Sequence, residues 1–282
     1  MIRRKNELLL TAPTLLWLAV FFLIPSFEMV IISFRAADPN GGVGDGWALE
    51  AWRSLGDPAY LIILWRTLRL SLATTAICLL LALPIAFLLG RMQEKWRGIL
   101  LILVIVPFWT NFVIRVAAWR IILHPEGMLR QAFVSIGLID PNTYFLNNEG
   151  AILFVMVYTH LPFAILPLYA AAERFDYSLL EAARDLGASG LRAMWRVFIP
   201  AVSRGLLTAM ALVLIPALGS YVIPDLVGGS SNEMIGNKIA QRALSGRNLP
   251  EAAALSVALL AITMVPILIV FILNRRDKVA HG

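Results

Sequence analysis

Six long apolar runs dominate the chain: Leu8 to Phe34, Leu68 to Gly90, Ile99 to Trp119, Ala151 to Ala172, Gly205 to Ile223 and Leu255 to Leu273. A helix of about 20 residues crosses a bilayer. The pattern therefore predicts an all-α, polytopic membrane protein with six transmembrane helices in a single domain. Residues 173–204 break the pattern. Ser178 stands three residues before Glu181, the spacing of a reciprocal capping box, and Gly187 supplies a stop. Only about two turns fit between them, a length that is marginal in water unless something packs against it. A second short helix is expected from Ser189, carrying Leu191, Met194, Trp195 and Phe198 and ending before Pro200. The segment predicts a helix-turn-helix hairpin in need of a partner surface.

Composition supports the membrane reading. Of 282 residues, 59% are hydrophobic and 15% charged, with a mean hydropathy of +0.77, well outside the mix of a soluble domain. Arg3, Arg4 and Lys5 precede the first run, but its length and the missing small-residue cleavage pattern favour a retained anchor over a signal peptide. Residues 1–7, 91–98, 173–204 and 274–282 hold 14 Lys/Arg in 56 positions, whereas the other three connections hold 8 in 95. The positive-inside bias places both termini and the 173–204 hairpin in the cytoplasm. That topology accounts for the net charge of +6, so no nucleic-acid partner is implied. The single cysteine, Cys78, lies inside the second run and reads as a small packing residue.

Candidate chemistry is sparse. The stretch Pro39 to Gly46 is Gly-rich but lacks the Gly-Lys-Ser/Thr ending of a phosphate loop, and reads as a flexible surface turn. His124, His160 and His281 are scattered, so neither a metal site nor a catalytic centre is expected. Short helices are expected in the outer connections around Met128 to Ile136 and Met234 to Ala243. Prolines occur in or at the ends of all six runs, among them Pro84, Pro107, Pro162, Pro167 and Pro216. They serve either to shape a pathway or only to set helix packing. An ion-coupled carrier keeps buried ionisable groups near mid-membrane. Here only His160 lies there, and it reads as packed or hydrogen-bonded, while Glu28, Arg69 and Arg115 lie toward run ends.

Glu181-Ala182-Ala183, Gly187 and the closing Val197-Phe198-Ile199-Pro200 resemble the EAA loop of ABC importer permeases, whose pattern is Glu-Ala-Ala, three residues, Gly, nine residues, Ile-x-Leu-Pro. Val197 and Ile199 replace the family's Ile and Leu, apolar exchanges of similar volume. The resemblance implies a type I, MetI-like permease fold and a place in the cytoplasmic (inner) membrane of a bacterium. It also implies that Glu181, Ala182, Ala183, Arg184, Asp185 and Gly187 form a coupling helix seated on an ATP-binding subunit dimer. ATP and Mg would then be bound by that partner and no cofactor by this chain, which is not itself an enzyme. The stretches Trp109 to Arg120, Pro216 to Gly229 and Met234 to Asn237 further resemble spermidine/putrescine permeases of the first-permease type. Such permeases work with a second, similar permease and a periplasmic substrate-binding protein.

A polyamine path needs carboxylates or carbonyls for charge and aromatic faces for cation–π contact, roles that Trp109, Asn111, Tyr221 and Asp225 fit. Asp225, after Pro224, reads equally as a plain turn residue, and Trp109 and Trp119 as interfacial belt residues. Arg115 would repel a cation, so it is expected to pair with an acid, Glu28 being one choice, or to turn to the outer interface. An ABC permease for another small solute such as an opine or amino-acid derivative is the alternative, with an ion-coupled carrier behind it.

Overall fold

The computed structural model describes residues 11–280, with side chains through residue 265. Arg3, Arg4, Lys5 and His281 lie outside the described residues, as does the start of the first apolar run. The first helix, α1 (Thr11–Ile32), has none of its apolar window covered by the rest of the chain. A helix tolerates such exposure in lipid because its backbone bonds close within it. After α1 comes an antiparallel hairpin of β1 (Arg35–Ala37) and β2 (Val43–Trp47), pairing Arg35 with Trp47 and Ala37 with Val43. The Gly-rich run is therefore half strand rather than a loose turn. Gly41 and Gly42 make the reversal, and the Arg35 guanidinium lies 5.1 Å above the Trp47 ring. This hairpin is an addition to an otherwise helical chain.

The packing divides the chain into two units, one comprising residues through Ile63 with Lys238–Ile262, the other Leu64–Asn237 with the residues from Thr263. The first unit holds the β-hairpin, α2 (Glu50–Ser54), the first turns of α3 (Pro58–Arg91) and the start of α12 (Leu249–Ala280). Its polar centre is Glu251, which is buried. Glu251 accepts from the Tyr60 hydroxyl, from Asn248 at 2.9 Å and pairs with Arg242 at 3.2 Å. A carboxylate this enclosed requires such partners.

The second unit carries α4 (Glu94–Ile105), α5 (Phe112–Ile122), α6 (Met128–Ser135), α7 (Glu149–Glu173), α8 (Ser178–Asp185), α9 (Gly190–Ala201), α10 (Ser203–Leu218) and the first half of α11 (Ile235–Ala240). The expected third span is not one helix. A 3₁₀ turn at Val106–Trp109 follows α4, and α5 leaves at a 91° bend. Pro107 lacks an amide for the ladder, and Asn111 restarts the helix by accepting from Val113 N at 2.8 Å, an N-cap. Asn148 caps α7 in the same way, through Ala151 N at 2.9 Å. Glu149 beside it receives Arg66 at 3.0 Å and also Arg69, which is thus paired in the protein instead of reaching for headgroups.

α7 and α10 pack closely because Gly205 lets them. A methyl there would come 2.6 Å from Ala171 Cβ and 3.0 Å from Pro167 O, the close approach that small residues permit between membrane helices. Among the described residues three helices are individually long and apolar enough to cross a membrane, and up to five spans result if each bent pair counts as one. The second bent pair is α9 with α10, at 73°, and α12 opens with the shorter apolar stretch Leu249–Val265. The expected outer helices appear as α6 and α11.

Candidate functional site

Residues 176–202 form the hairpin anticipated from the polar segment, with two changes in its ends. Asp176 Oδ1 accepts from Ser178 N at 3.0 Å, and the Tyr177 hydroxyl donates to Ala172 O at 3.1 Å, so α8 starts directly at Ser178. No capping box forms between Ser178 and Glu181, because the shorter Asp176 side chain reaches the Ser178 amide first. The side chain and amide of Ser178 hold the exposed Asp176 carboxyl below its ordinary range. Burial pushes the Tyr177 phenol up, partly opposed by Arg91. The stop is as expected. Gly187 has φ +86°, Gly187 N donates to Arg184 O at 2.8 Å and Ala188 N to Ala183 O at 3.0 Å, a Schellman closure.

Ser189 then caps α9, its hydroxyl accepting from Arg192 N at 3.4 Å. Pro200 does not end this helix. A π turn at Met194–Phe198, with Ile199 N bonded to Met194 O, widens the helix just ahead of the proline ring, and the break falls at Val202. The hairpin's inner face is Leu180, Ala193 and Phe198, all buried, with the Phe198 ring edge-on to Phe87 at 5.0 Å and to Phe175 at 5.2 Å. Its outer face is unusual for a polar connection. Leu186 is 89% exposed, Leu191 71% and Trp195 61%. Around them Glu181, Ala182, Arg184 and Asp185 are also exposed and Ala183 is half-buried.

A second site lies in the same unit, at the bend of α5 against α7 and α10. Phe108, Phe112, Arg115, His160, Phe163 and Tyr221 line much of a cavity of about 390 Å³. The Arg115 guanidinium carbon sits 4.4 Å from the Phe108 ring centre and 5.9 Å from that of Phe112. Its Nη1 donates to Pro107 O at 2.7 Å. The expected acid partner is therefore replaced by a carbonyl and ring faces. His160 is packed and hydrogen-bonded as expected. Its Nδ1 lies 2.8 Å from Met156 O, an oxygen that can only accept, so Nδ1 carries a proton there.

Of the four residues named for a pathway, the structure brings only Tyr221 to this cavity. Trp109 is 80% exposed, Asn111 spends its side-chain oxygen on the α5 cap, and Asp225 is exposed in the short π turn Pro224–Gly228. The cavity instead takes their chain neighbours Phe108 and Phe112. Trp119, read as a belt residue, packs edge-on against Phe154 at 4.9 Å and Tyr158 at 5.1 Å. Asn237 holds the Tyr221 backbone in place: its Nδ2 donates to Tyr221 O at 2.8 Å while Oδ1 accepts from Met234 N at 3.1 Å. No cluster of His, Cys, Asp and Glu suited to a metal occurs among the described residues.

Known proteins show the same architecture. The chain superposes on a subunit in the crystal structure of a bacterial alginate ABC transporter in complex with alginate pentasaccharide-bound periplasmic protein, with TM-score 0.72 and 19% identity over 97% of this chain and 96% of that one. It is 36% identical over 280 residues to the spermidine/putrescine transport system permease protein PotB of Haemophilus influenzae, covering 99% of this chain and 97% of the relative. PotB of Escherichia coli is 38% identical over 243 residues, covering 86% and 88%, and the inner membrane ABC transporter permease protein YdcU of Escherichia coli is 30% identical over 277 residues, covering 93% and 85%. Residues 82–276 match the family described as binding-protein-dependent transport system inner membrane component. A match over more than half the chain, with full-length relatives in the same class, establishes that the chain belongs to that family of binding-protein-dependent inner-membrane permeases.

Proposed function

We propose that this chain forms half of the translocation pathway of an ATP-driven importer for polyamines of the spermidine/putrescine type. A second permease supplies the other half, an ATP-binding subunit dimer powers it with ATP and magnesium, and a periplasmic binding protein delivers the solute. The observation that carries the docking part is the outer face of the hairpin, where Leu186, Leu191 and Trp195 stand exposed on a frame closed by Gly187 and cored by Phe198. Apolar side chains in a charged connection fit a protein cleft better than water. The substrate part rests on the relatives named for spermidine and putrescine. In this reading both termini and the hairpin are cytoplasmic. Closure of the ATP-bound subunits carries the hairpin with it, and the helices follow because α9 is joined to α10 through one bend.

One observation favours a second reading. Arg115 lines the cavity, and no carboxylate does among the described lining residues, which suits a carboxylate-bearing solute such as an opine or amino-acid derivative. Uptake of labelled putrescine by vesicles holding the assembled transporter and its binding protein separates the two. ATP-dependent uptake competed by spermidine and not by opines is expected. Competition by opines alone selects the second reading, and gradient-driven uptake by this chain without an ATPase overturns both.

A further inference from the structure

A guanidinium among largely apolar and aromatic lining residues is costly, so whatever holds it is, by construction, a cation site. Arg115 is held by the face of Phe108 at 4.4 Å, by the flank of Phe112 at 5.9 Å and by Pro107 O at 2.7 Å. Ring faces and a carbonyl are the groups with which a protein binds an ammonium without a full counter-charge. The fit is incomplete. Arg115 Nε is buried and has no hydrogen-bond partner among the described residues, so the seat satisfies its occupant only in part. Phe163 meets Phe108 edge-on at 5.5 Å and continues the aromatic wall into the cavity.

We propose that the Phe108–Pro107 seat is a cation subsite of the pathway, filled by Arg115 as a tethered stand-in that an ammonium or guanidinium group of the solute must displace. This rests on the reading that cations cross here. A tethered group competes at the high effective concentration its short stem gives it. A simple monoamine, with one weak contact to offer, loses that competition. A polyamine, gripped at a second ammonium elsewhere, wins it. Arg115 thereby sets selectivity for solutes with more than one positive group, which is discrimination by an added obstacle against the wrong ligand.

The test uses the purified transporter complex, with methylguanidinium chloride as probe against sodium chloride of equal ionic strength. In the wild type the seat is taken, and the probe leaves the melting temperature unchanged. In Arg115→Ala the seat is free, and the probe raises the melting temperature, with half-effect at about 1 mM or above, as suits so small a ligand. Arg115→Lys keeps a tethered cation and stays unresponsive. Arg115→Ala combined with Phe108→Leu loses the response. If Arg115→Ala does not assemble, Arg115→Met, which preserves more of the volume, carries the same expectation. In uptake competition Arg115→Ala reduces the preference for putrescine over a monoamine of similar length by about tenfold, the worth of one desolvated cation–π contact. Equal probe responses in wild type and Arg115→Ala, or a response that survives loss of the Phe108 ring, overturns the proposal. A normal probe response without any polyamine uptake overturns the substrate reading and leaves the seat standing.

Discussion

The hairpin at 176–202 and the cavity at the α5 bend solve opposite problems. The hairpin lies in a charged connection and exposes leucines and a tryptophan, while the cavity lies among apolar helices and encloses an arginine. Each places a side chain where its neighbours do not favour it, as the proposed docking surface and the proposed cation subsite require. The two differ in what holds them. Within the hairpin, local devices fix the backbone: the Asp176 turn, the Gly187 closure and the Ser189 cap. At the cavity, residues from 107 to 237 meet only after the chain has folded.

The largest expected effect tests whether local devices are enough for the hairpin. Phe198→Ala removes the fully buried ring between Phe87 and Phe175. Loss of a buried Phe costs about 3–5 kcal/mol, so the complex should melt at clearly lower temperature and shed its ATPase during purification. If melting and copurification are unchanged, turns and caps alone hold the hairpin. Next comes the outer face, where Trp195→Asp leaves the fold intact because the side chain touches solvent. A buried aromatic anchor in an interface is worth about 2 kcal/mol or more, so ATPase affinity should fall at least about tenfold with the melting temperature of the isolated permease unaltered. Retained affinity would remove this face from the docking surface.

The cavity side of the comparison is sharpened by Asn237→Ala. It frees Tyr221 O and Met234 N, both now satisfied by one buried amide side chain. Leaving a buried backbone group unpaired costs about 1–3 kcal/mol. Weakened solute uptake with normal ATPase copurification is expected. A parallel loss of both would mean that the cavity wall and hairpin are one cooperative unit.

This difference in what holds each region also explains how much was legible. The hairpin could be read from spacing because Gly187 and Ser189 act on residues within five positions of themselves. Even there, Ser178 and Glu181 matched the capping pattern and failed, since a pattern cannot show that Asp176 reaches the same amide first. The third apolar run hid its 91° bend because hydrophobicity is equally high on both sides. Pro107 followed by the capping residue Asn111 was the available signal. Trp109 and Asn111, named for the path, each stand one residue away from a residue that lines this cavity. Once the run is broken at this bend, Phe108 and Phe112 rather than their neighbours face α7 and α10. Glu149 with Arg66 and Arg69 joins residues some 80 positions apart and leaves no local trace.

The smallest expected effect concerns Asp176, and it asks how much the hairpin's start depends on charge. Its carboxyl is held below the ordinary value of about 3.9 by the Ser178 side chain and amide. A carboxyl lowered on folding stabilises fully above its unfolded value, and the benefit is lost as pH falls through the lower folded value. Asp176→Asn keeps an oxygen that can accept from Ser178 N but removes the charge. The melting temperature of the wild type should therefore exceed that of Asp176→Asn at neutral pH by a small margin, since the group is exposed and screened. The margin should hold down to about pH 4 and close below it. A margin that is absent at neutral pH, or that widens in acid, would show that α8 is started by the Tyr177 anchor and the buried Phe198 cluster alone, and that the charge at Asp176 is incidental to the hairpin.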